Sequence, residues 1–326
     1  MSEFTPATND VIKSMLGSIY KNDKVAVING GPDVAAHFSS QPFDHLIFTG
    51  STRVGKIVMA AAAKNLTPVT LELGGKSPTI IDDEIDITDA VSRFILGKTL
   101  NAGQTCVAPD YIMVPRESVD AFTTAYKDAF NRFYPSVSNN PDYTAVISDR
   151  HAQRIEGWIK EAGEKGANVI PMSDEVVEDG TRRKVPVILT NTDDSMLIRQ
   201  EEIFGPALLV QPYDSLDEAI NYVNDRDRPL ALYYFGFDVA KQQRILNETH
   251  SGGVVFNEVM FHVAVDDLPF GGIGPSGMGH YHGKEGFLTL SKPKAVLYKP
   301  KFNGTRAMYP PYKNAMLDKV FNWLLR

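Results

Sequence analysis

The sequence contains a single cysteine, Cys106, among its 326 residues. One cysteine cannot close a disulfide within the chain, so we predict a fold that needs none and a reducing, cytoplasmic environment. Long apolar runs are also missing, because no stretch approaches the roughly 20 residues that a helix needs to cross a bilayer. The N-terminal residues lack the basic and apolar segments of a secretion signal. We therefore expect neither an integral membrane protein nor a secreted one.

Positive charge is in deficit as well. Lysine and arginine number 33 against 40 aspartates and glutamates, which gives a formal net charge of −7. This balance opposes general binding to nucleic acid or to anionic lipid, so an anionic ligand would need a local site. The remaining composition, 43% hydrophobic and 22% charged, is typical of a globular chain, and the length predicts about two domains.

Short apolar runs alternate with helical patterns in the first part of the chain. We predict strands at 25–30, 45–50 and 68–73, the last two of them buried. Helices are predicted between them, over 5–16, 33–38 and 51–64. Such alternation is typical of a parallel α/β sheet.

The same alternation continues after Gly74 and Gly75, which we interpret as a hinge between two α/β regions. Longer helices and further strands are predicted there, with helices over 86–101, 116–133 and 148–164 and strands near 186–190 and 207–213. The charged segment 171–186 is predicted to be an exposed loop or a hairpin.

The C-terminal segment is rich in basic residues and ends in an amphipathic pattern. Six apolar residues stand at helical spacing, namely Met316, Leu317, Val320, Phe321, Leu324 and Leu325. Two interpretations stay open for the predicted helix. It packs on its own protein or on a second subunit, or it lies at a membrane surface, as basic amphipathic helices can.

The segment FTGSTRVGK, at 48–56, runs from a predicted strand through Gly50 directly into a predicted helix. The free N–H groups of such a helix start face the carboxyl edge of the sheet, where anionic ligands bind in these folds. Its two glycines are also compatible with simple turn chemistry, because the spacing differs from that of the common dinucleotide-binding motif.

Two side chains are candidates for chemistry. Glu72 lies in the apolar run 68–73, where it is either buried with a function or directed to solvent from an edge strand. Cys106 follows Gly103, Gln104 and Thr105, which favour a loop. An accessible thiolate there would be a strong nucleophile, whereas a buried thiol would be an inert apolar group.

The seven histidines show no spacing typical of a metal site. His262, His280 and His282 flank a glycine-rich segment, and we interpret them as structural. We therefore predict no bound metal.

Five motifs together resemble the aldehyde dehydrogenase superfamily in order and approximate spacing, and the resemblance runs over essentially the whole chain. They are FTGSTRVGK, LELGGKSP, NAGQTC, EEIFGP and LPFGGIGPSGMG. Smaller features, including YHGKEGFLTLSKPKAVL and MYPPY, look most like the class 3 branch, which includes bacterial coniferyl aldehyde dehydrogenases. The resemblance implies an aldehyde dehydrogenase-like α/β fold with a partial Rossmann-type NAD(P)-binding domain at 1–73, a catalytic domain at 74–270, and a return segment with an oligomerisation tail at 271–326.

The resemblance also implies an activity and site residues. Cys106 matches the nucleophile that adds to the aldehyde, and Glu72 matches the base that activates water to hydrolyse the resulting thioester. Phe270 matches an aromatic residue at the substrate entrance. An aromatic or medium-chain aldehyde is the implied substrate and NAD or NADP the cofactor. The residues that match cofactor-binding positions are Glu3, Gly50, Ser51, Thr52, Val54, Gly55, Leu73, Gly74, Glu202 and Phe204.

The opening MSEFTP matches a segment well inside family members, so we expect an N-terminally truncated member. The segments absent relative to the family include the first strands of the cofactor domain, a strand pair that joins subunits, and an asparagine that stabilises the oxyanion. We expect a homo-oligomer, such as a dimer. The alternative is a catalytically silent homologue that acts as a binding or structural subunit.

Overall fold

The structure is a computed structural model that describes residues 2–177, 180–312 and 315–326. The chain divides into a first unit that ends at Leu290 and a second from Ser291 to Arg326. The predicted domain boundaries after residues 73 and 270 stay predictions.

Strands and helices alternate through the first unit, as the sequence predicts. The strands are β1 (Leu46–Thr49), β2 (Val69–Glu72), β3 (Ser77–Ile81), β4 (Pro109–Pro115), β5 (Asn168–Pro171), β6 (Val187–Thr190), β7 (Ala207–Tyr213), β8 (Ala231–Phe235), β9 (Gly253–Phe256) and β10 (Gly277–Met278). The helices are α1 (Pro6–Ile19), α2 (Pro32–Ser39), α3 (Thr52–Ala63), α4 (Ile87–Thr99), α5 (Val119–Phe133), α6 (Asp149–Glu164), α7 (Leu197–Gln200), α8 (Leu216–Asn224), α9 (Val239–Glu248) and α10 (Gly283–Thr289).

The described strands form two sheets. The smaller has the order β1-β2-β10, and the larger has the order β5-β6-β7-β4-β3-β8-β9. All neighbouring strands are parallel except the pairs β2–β10 and β5–β6. Every residue of β3, β4 and β8 is buried, as expected for central parallel strands that are covered on both faces. The predicted α/β fold is therefore confirmed.

Most predicted elements form where the sequence places them. The charged segment 171–186 joins two antiparallel strands, β5 and β6, and its described part is thus the connection of a hairpin. Residues 178 and 179 within it lie outside the described residues.

Two strand predictions need correction. Residues 25–30 form no strand, because β1 bonds only to β2 and no described strand lies beside this segment to pair with it. The strand predicted at 45–50 exists as β1, but it is not buried, since the side chain of Ile47 is 47% exposed at this open edge.

The second unit contains the predicted terminal helix, α11 (Ala315–Leu324). Of its apolar residues, Leu317 is buried, whereas Met316, Phe321 and Leu324 are exposed. Both interpretations of its apolar face therefore stay open. Within the described parts of the chain, no helix combines the length and apolarity that crossing a membrane requires.

Candidate active site

Glu72 is the last residue of β2, the central strand of the smaller sheet. It lies opposite Thr49 of β1 on one side and Gly277 of β10 on the other. Its side chain is only 5% exposed. The interpretation of Glu72 as a solvent-facing residue of an edge strand is therefore wrong.

The carboxylate of Glu72 has no hydrogen-bond partner, although both oxygens are buried. Burial raises the pKa of this carboxyl to about 8, because low polarity disfavours the charged form. A group with such a pKa can take up and release a proton near neutral pH, which is the property that a general base requires.

A glycine allows β10 to cover this carboxylate. Gly277 has φ = +149°, and a Cβ atom there would lie 2.2 Å from the carbonyl oxygen of Leu71. Next to it, the carbonyl of Ser276 accepts a hydrogen bond from Leu73 N–H at 3.1 Å. Because no side chain fits at position 277, the glycine keeps β10 against β2 and Glu72 away from solvent.

Cys106 lies in the turn between α4 and β4, as the sequence predicts. Three residues before this turn, Asn101, Ala102 and Gly103, have φ values of +51°, +53° and +72° in succession. The carbonyl of Thr105 then accepts a hydrogen bond from Ala108 N–H at 2.9 Å. The thiol that results is half-buried and free.

Two anchors fix this turn. The side chain of Gln104 donates to the carbonyls of Asn101 and Ala145 and accepts from Ile147 N–H, with distances of 2.8 to 3.1 Å. On the other side of the thiol, the hydroxyl of Tyr233 in β8 donates to the carbonyl of Val107 at 2.5 Å. The sulfur therefore takes its position from the core of the larger sheet.

The Cys106 thiol and the Glu72 carboxylate are close enough for the charge of Glu72 to affect the pKa of the thiol. Burial, followed by the negative charges of Glu202 and Glu72, raises the pKa of the Cys106 thiol to about 11. Burial and the charges of Glu72 and Cys106 also raise the pKa of Tyr281. Both effects disfavour the thiolate, so the thiol must transfer its proton to a base before the sulfur can act as a nucleophile.

The predicted cofactor residues of β1, β2 and α3 also meet. Gly50 N–H donates to the carbonyl of Glu72 at 3.0 Å, which continues the parallel ladder. The Ser51 hydroxyl caps α3 by accepting from Val54 N–H at 3.4 Å, and the Thr52 hydroxyl donates to the carbonyl of Pro275 at 2.9 Å.

The helix packs closely on the end of β2. A Cβ atom at Gly55 would lie 2.6 Å from a methyl group of Leu73. The N-terminus of α3 thus faces the same sheet edge as Leu73 and Gly74, where an anionic group is favoured.

Glu202 reaches this edge from the segment that follows α7, and Phe204 lies two residues further along this segment. A Cβ atom at Gly74 would lie 2.3 Å from either carboxylate oxygen of Glu202. Burial and then the nearby Asp110 raise the pKa of Glu202 to about 7, while Gly75 N–H, Lys76 and Arg154 act against the rise. Phe204 has φ = +47°, a left-handed conformation that is strained for an aromatic residue.

The remaining two predicted residues lie in different surroundings. Phe270 is buried in the main apolar core, and Cys106 packs against the same core. The ring of Phe270 contacts the rings of His262, Tyr281 and His282, with centroid distances of 5.4 to 5.6 Å. Glu3 lies in an exposed turn before α1, and no described contact joins it to the other cofactor residues.

A buried charged network beside the site was not predicted from the sequence. It consists of Lys76, Lys98, Asp110 and Arg154, all close to Glu202. Burial lowers the pKa of Lys98 to about 8. A signal for part of this network exists in the sequence, because Asp110 interrupts the apolar run of β4 in the way that Glu72 interrupts β2. No cluster of metal-binding side chains occurs among the described residues.

Comparison with known proteins identifies the family. The model of the aldehyde dehydrogenase family matches residues 1–296. A probable coniferyl aldehyde dehydrogenase of Pseudomonas aeruginosa is 55% identical over 100% of this chain and 68% of its own length. This chain belongs to the aldehyde dehydrogenase family. The predicted membership is confirmed.

Other aldehyde dehydrogenases agree with this assignment. A coniferyl aldehyde dehydrogenase of a Pseudomonas species is 46% identical over 97% of the chain and 66% of its own length. Among solved structures, AldH of Staphylococcus aureus in a substrate-bound state superposes with a TM-score of 0.89 at 39% identity, covering 100% of this chain and 70% of that one. A Mycobacterium tuberculosis aldehyde dehydrogenase complexed with NAD+ superposes with a TM-score of 0.82 at 31% identity, and the match covers 92% of this chain and 62% of that one. The chain thus spans about two thirds of the length of its relatives.

Proposed function

We propose that this chain carries the catalytic site of an NAD(P)-dependent aldehyde dehydrogenase that converts an aldehyde into a carboxylic acid. The observation that supports it most is the shared neighbourhood of a half-buried lone thiol, Cys106, and a buried, unpartnered carboxylate, Glu72. The names of the relatives favour an enzyme over a silent binding subunit, and they favour an aromatic aldehyde of the coniferyl type as substrate.

The chain's residues fit a nicotinamide dinucleotide. The absence of a side chain at Gly74 lets the Glu202 carboxylate rest against the backbone there. That carboxylate can accept hydrogen bonds from ribose hydroxyls, and α3 directs its positive end to the same edge. The nicotinamide, when bound, supplies the hydride acceptor. The NAD+ complex of a relative favours NAD+ as the cofactor.

The chemistry divides between two side chains. The sulfur of Cys106, once deprotonated, adds to the aldehyde carbon, which gains an oxyanion and can then release hydride to leave a thioester. Glu72, in its ionised form, removes a proton from water that attacks this thioester. The acid leaves and the thiol is regenerated. A carboxylate is needed for the second step, because water at neutral pH is a weak nucleophile.

The proposal is tested by incubating the chain with benzaldehyde and NAD+ or NADP+ and following the near-ultraviolet absorbance of the reduced cofactor. We expect turnover and equimolar benzoic acid, measured by chromatography. A folded chain that forms no acid with either cofactor, and with no other aromatic aldehyde tested, would contradict it. The homo-oligomer and the cytoplasmic location stay predictions.

Replacement of Gly74 by alanine is expected to raise KM for the cofactor by about tenfold, which corresponds to about 1.4 kcal/mol. The added methyl group would collide with the Glu202 carboxylate and displace it from the cofactor edge. Steady-state kinetics at varied cofactor concentration measure this effect. Gly157→Ala in α6 is the control, because a Cβ atom there meets nothing within 4 Å. An unchanged KM in Gly74→Ala would remove Glu202 from its proposed role.

A further inference from the structure

The segment that carries Glu202 and Phe204 has a conformation that its own sequence does not favour. We define residues 201–204 as the cofactor loop. Phe204 lies in the left-handed region at φ = +47°, and such strain persists only where the surroundings enforce it. Two residues close to it in sequence, Glu202 and Gly205, meet other segments at close range. Something outside the loop must therefore hold it.

The first holding element is a buried ion pair between Lys76 and Asp110. Its side chains are 15% and 4% exposed. The Lys76 ammonium also donates to the carbonyls of Ile198 and Glu201 at 2.9 and 2.8 Å. The other oxygen of Asp110 accepts from Ile203 N–H at 2.8 Å. The pair thus binds the backbone of the cofactor loop on both sides of Glu202.

A second element comes from α6. The guanidinium of Arg154 donates to the carbonyl of Ile203 at 2.7 Å and, more weakly, to that of Glu202 at 3.4 Å. It lies over the ring of Trp158, with 4.4 Å between the guanidinium carbon and the ring centroid. This cation–π contact restricts the guanidinium, which can therefore guide the loop carbonyls.

Lys76 also connects these backbone hydrogen bonds to the contact between Gly74 and the Glu202 carboxylate. It follows Gly74 by two residues, and Gly74 is the residue against which that carboxylate rests. One short segment therefore contacts the side chain of Glu202 through Gly74 and the backbone of the cofactor loop through Lys76. A displacement of Lys76 would change both contacts together.

We propose that Lys76 and Asp110 are positioning residues that hold the cofactor loop in its strained conformation and thereby present Glu202 and Phe204 to the nicotinamide half of the cofactor. They do not contact the reacting atoms. The effect on cofactor binding rests on the proposed function, whereas the effect on the loop does not. Neither group acts alone, because a buried charge that loses its partner is itself destabilising.

The test compares Lys76→Met, Asp110→Leu and the double variant, which replaces both charges by apolar groups of similar size. Hydrogen exchange of the peptide that contains Ile203 is measured by mass spectrometry. We expect this exchange to accelerate by about tenfold or more in all three variants, while the peptides of β4 and β7 keep their protection. Calorimetric titration is expected to show a dissociation constant for NAD+ that rises by about tenfold.

A matched control exists elsewhere in the first unit. Lys241 pairs with the buried Asp82, with exposures of 25% and 3%, and touches no residue of the cofactor loop. Lys241→Met should leave the exchange of the loop and the binding of NAD+ unchanged. Lys76→Arg, which retains a charge for Asp110, should restore most of the loop protection.

Three results would overturn the proposal. They are normal loop exchange in the folded double variant, faster exchange spread equally over all peptides, and equal effects in Lys241→Met and Lys76→Met. The double variant is the most favourable one for folding, because it leaves no unpaired buried charge. If the unaltered chain does not bind NAD+, the proposed function fails for this chain, and the exchange of the loop still decides whether Lys76 and Asp110 position it.

Discussion

Replacement of Cys106 by alanine is expected to lower kcat/KM for aldehyde oxidation by about 10⁴-fold or more. The reason is chemical, because without sulfur addition the aldehyde carbon carries no oxyanion and is a poor hydride donor. The measurement is the initial rate of reduced-cofactor formation with benzaldehyde at saturating NAD+. Because Cys106 is the only cysteine, this variant also shows whether a side chain other than a thiol can attack the aldehyde.

Two controls accompany this variant. Thiol titration should fall from one equivalent per chain to none, and the melting temperature should change little, because the thiol is half-buried and alanine fits its space. A well-folded Cys106→Ala chain that keeps more than about one per cent of the activity would show that another group carries the reaction.

Replacement of Glu72 by glutamine should separate the two half-reactions. We expect a burst of reduced cofactor of up to about one equivalent per site, followed by a steady-state rate that is about 10²–10⁴-fold lower. The amide is nearly isosteric with the carboxyl, but it cannot accept the proton from water. Rapid mixing followed by absorbance, together with mass spectrometry of the trapped thioester, measures the burst and the intermediate.

The same variant carries a pH signature. The base must be ionised, and the pKa of Glu72 is raised to about 8. The rate of thioester hydrolysis, measured in a single turnover after acylation, should therefore rise with pH in the unaltered chain and level off above about 8. Glu72→Gln should lose this rise. Glu164→Gln, which removes an exposed carboxylate of α6, is the control for the change in charge. An unaltered rate and pH profile in Glu72→Gln would exclude Glu72 as the base.

Much of the candidate site could be predicted because its residues lie in local motifs. Cys106 follows a glycine-containing loop, and Gly50 stands between a strand and a helix, so the local sequence predicts the secondary structure at both positions. The burial of Glu72, in contrast, could not be predicted from the sequence. A period of two allows either face of a strand to be buried, and only the pairing of β2 with β1 and β10 shows that this strand is central.

The error at 25–30 has a related cause. The segment has the composition of a strand, but strand formation depends on a hydrogen-bonded neighbour, which local sequence does not specify. β1 shows the converse, since it pairs with β2 although its own burial is only partial.

The positioning residues were missed for a different reason. Lys76 and Asp110 are 34 residues apart, and Ile203 is a further 93 residues along the chain. A charged residue in an apolar run indicates that some partner exists, but it does not indicate which one. Likewise, nothing in the propensities of Ala102 and Phe204 predicts left-handed backbone, because tertiary contacts override those preferences.

The two side chains that are proposed to react belong to different sheets. Glu72 ends β2 of the smaller sheet, whereas Cys106 leads into β4 of the larger one, and only residues 73–76 separate β2 from β3. A small rotation about this short connection would change the distance between the sulfur and the carboxylate, and with it the effect of the Glu72 charge on the pKa of Cys106. In the proposed mechanism, hydrolysis of the thioester therefore depends on how the two sheets lie relative to each other.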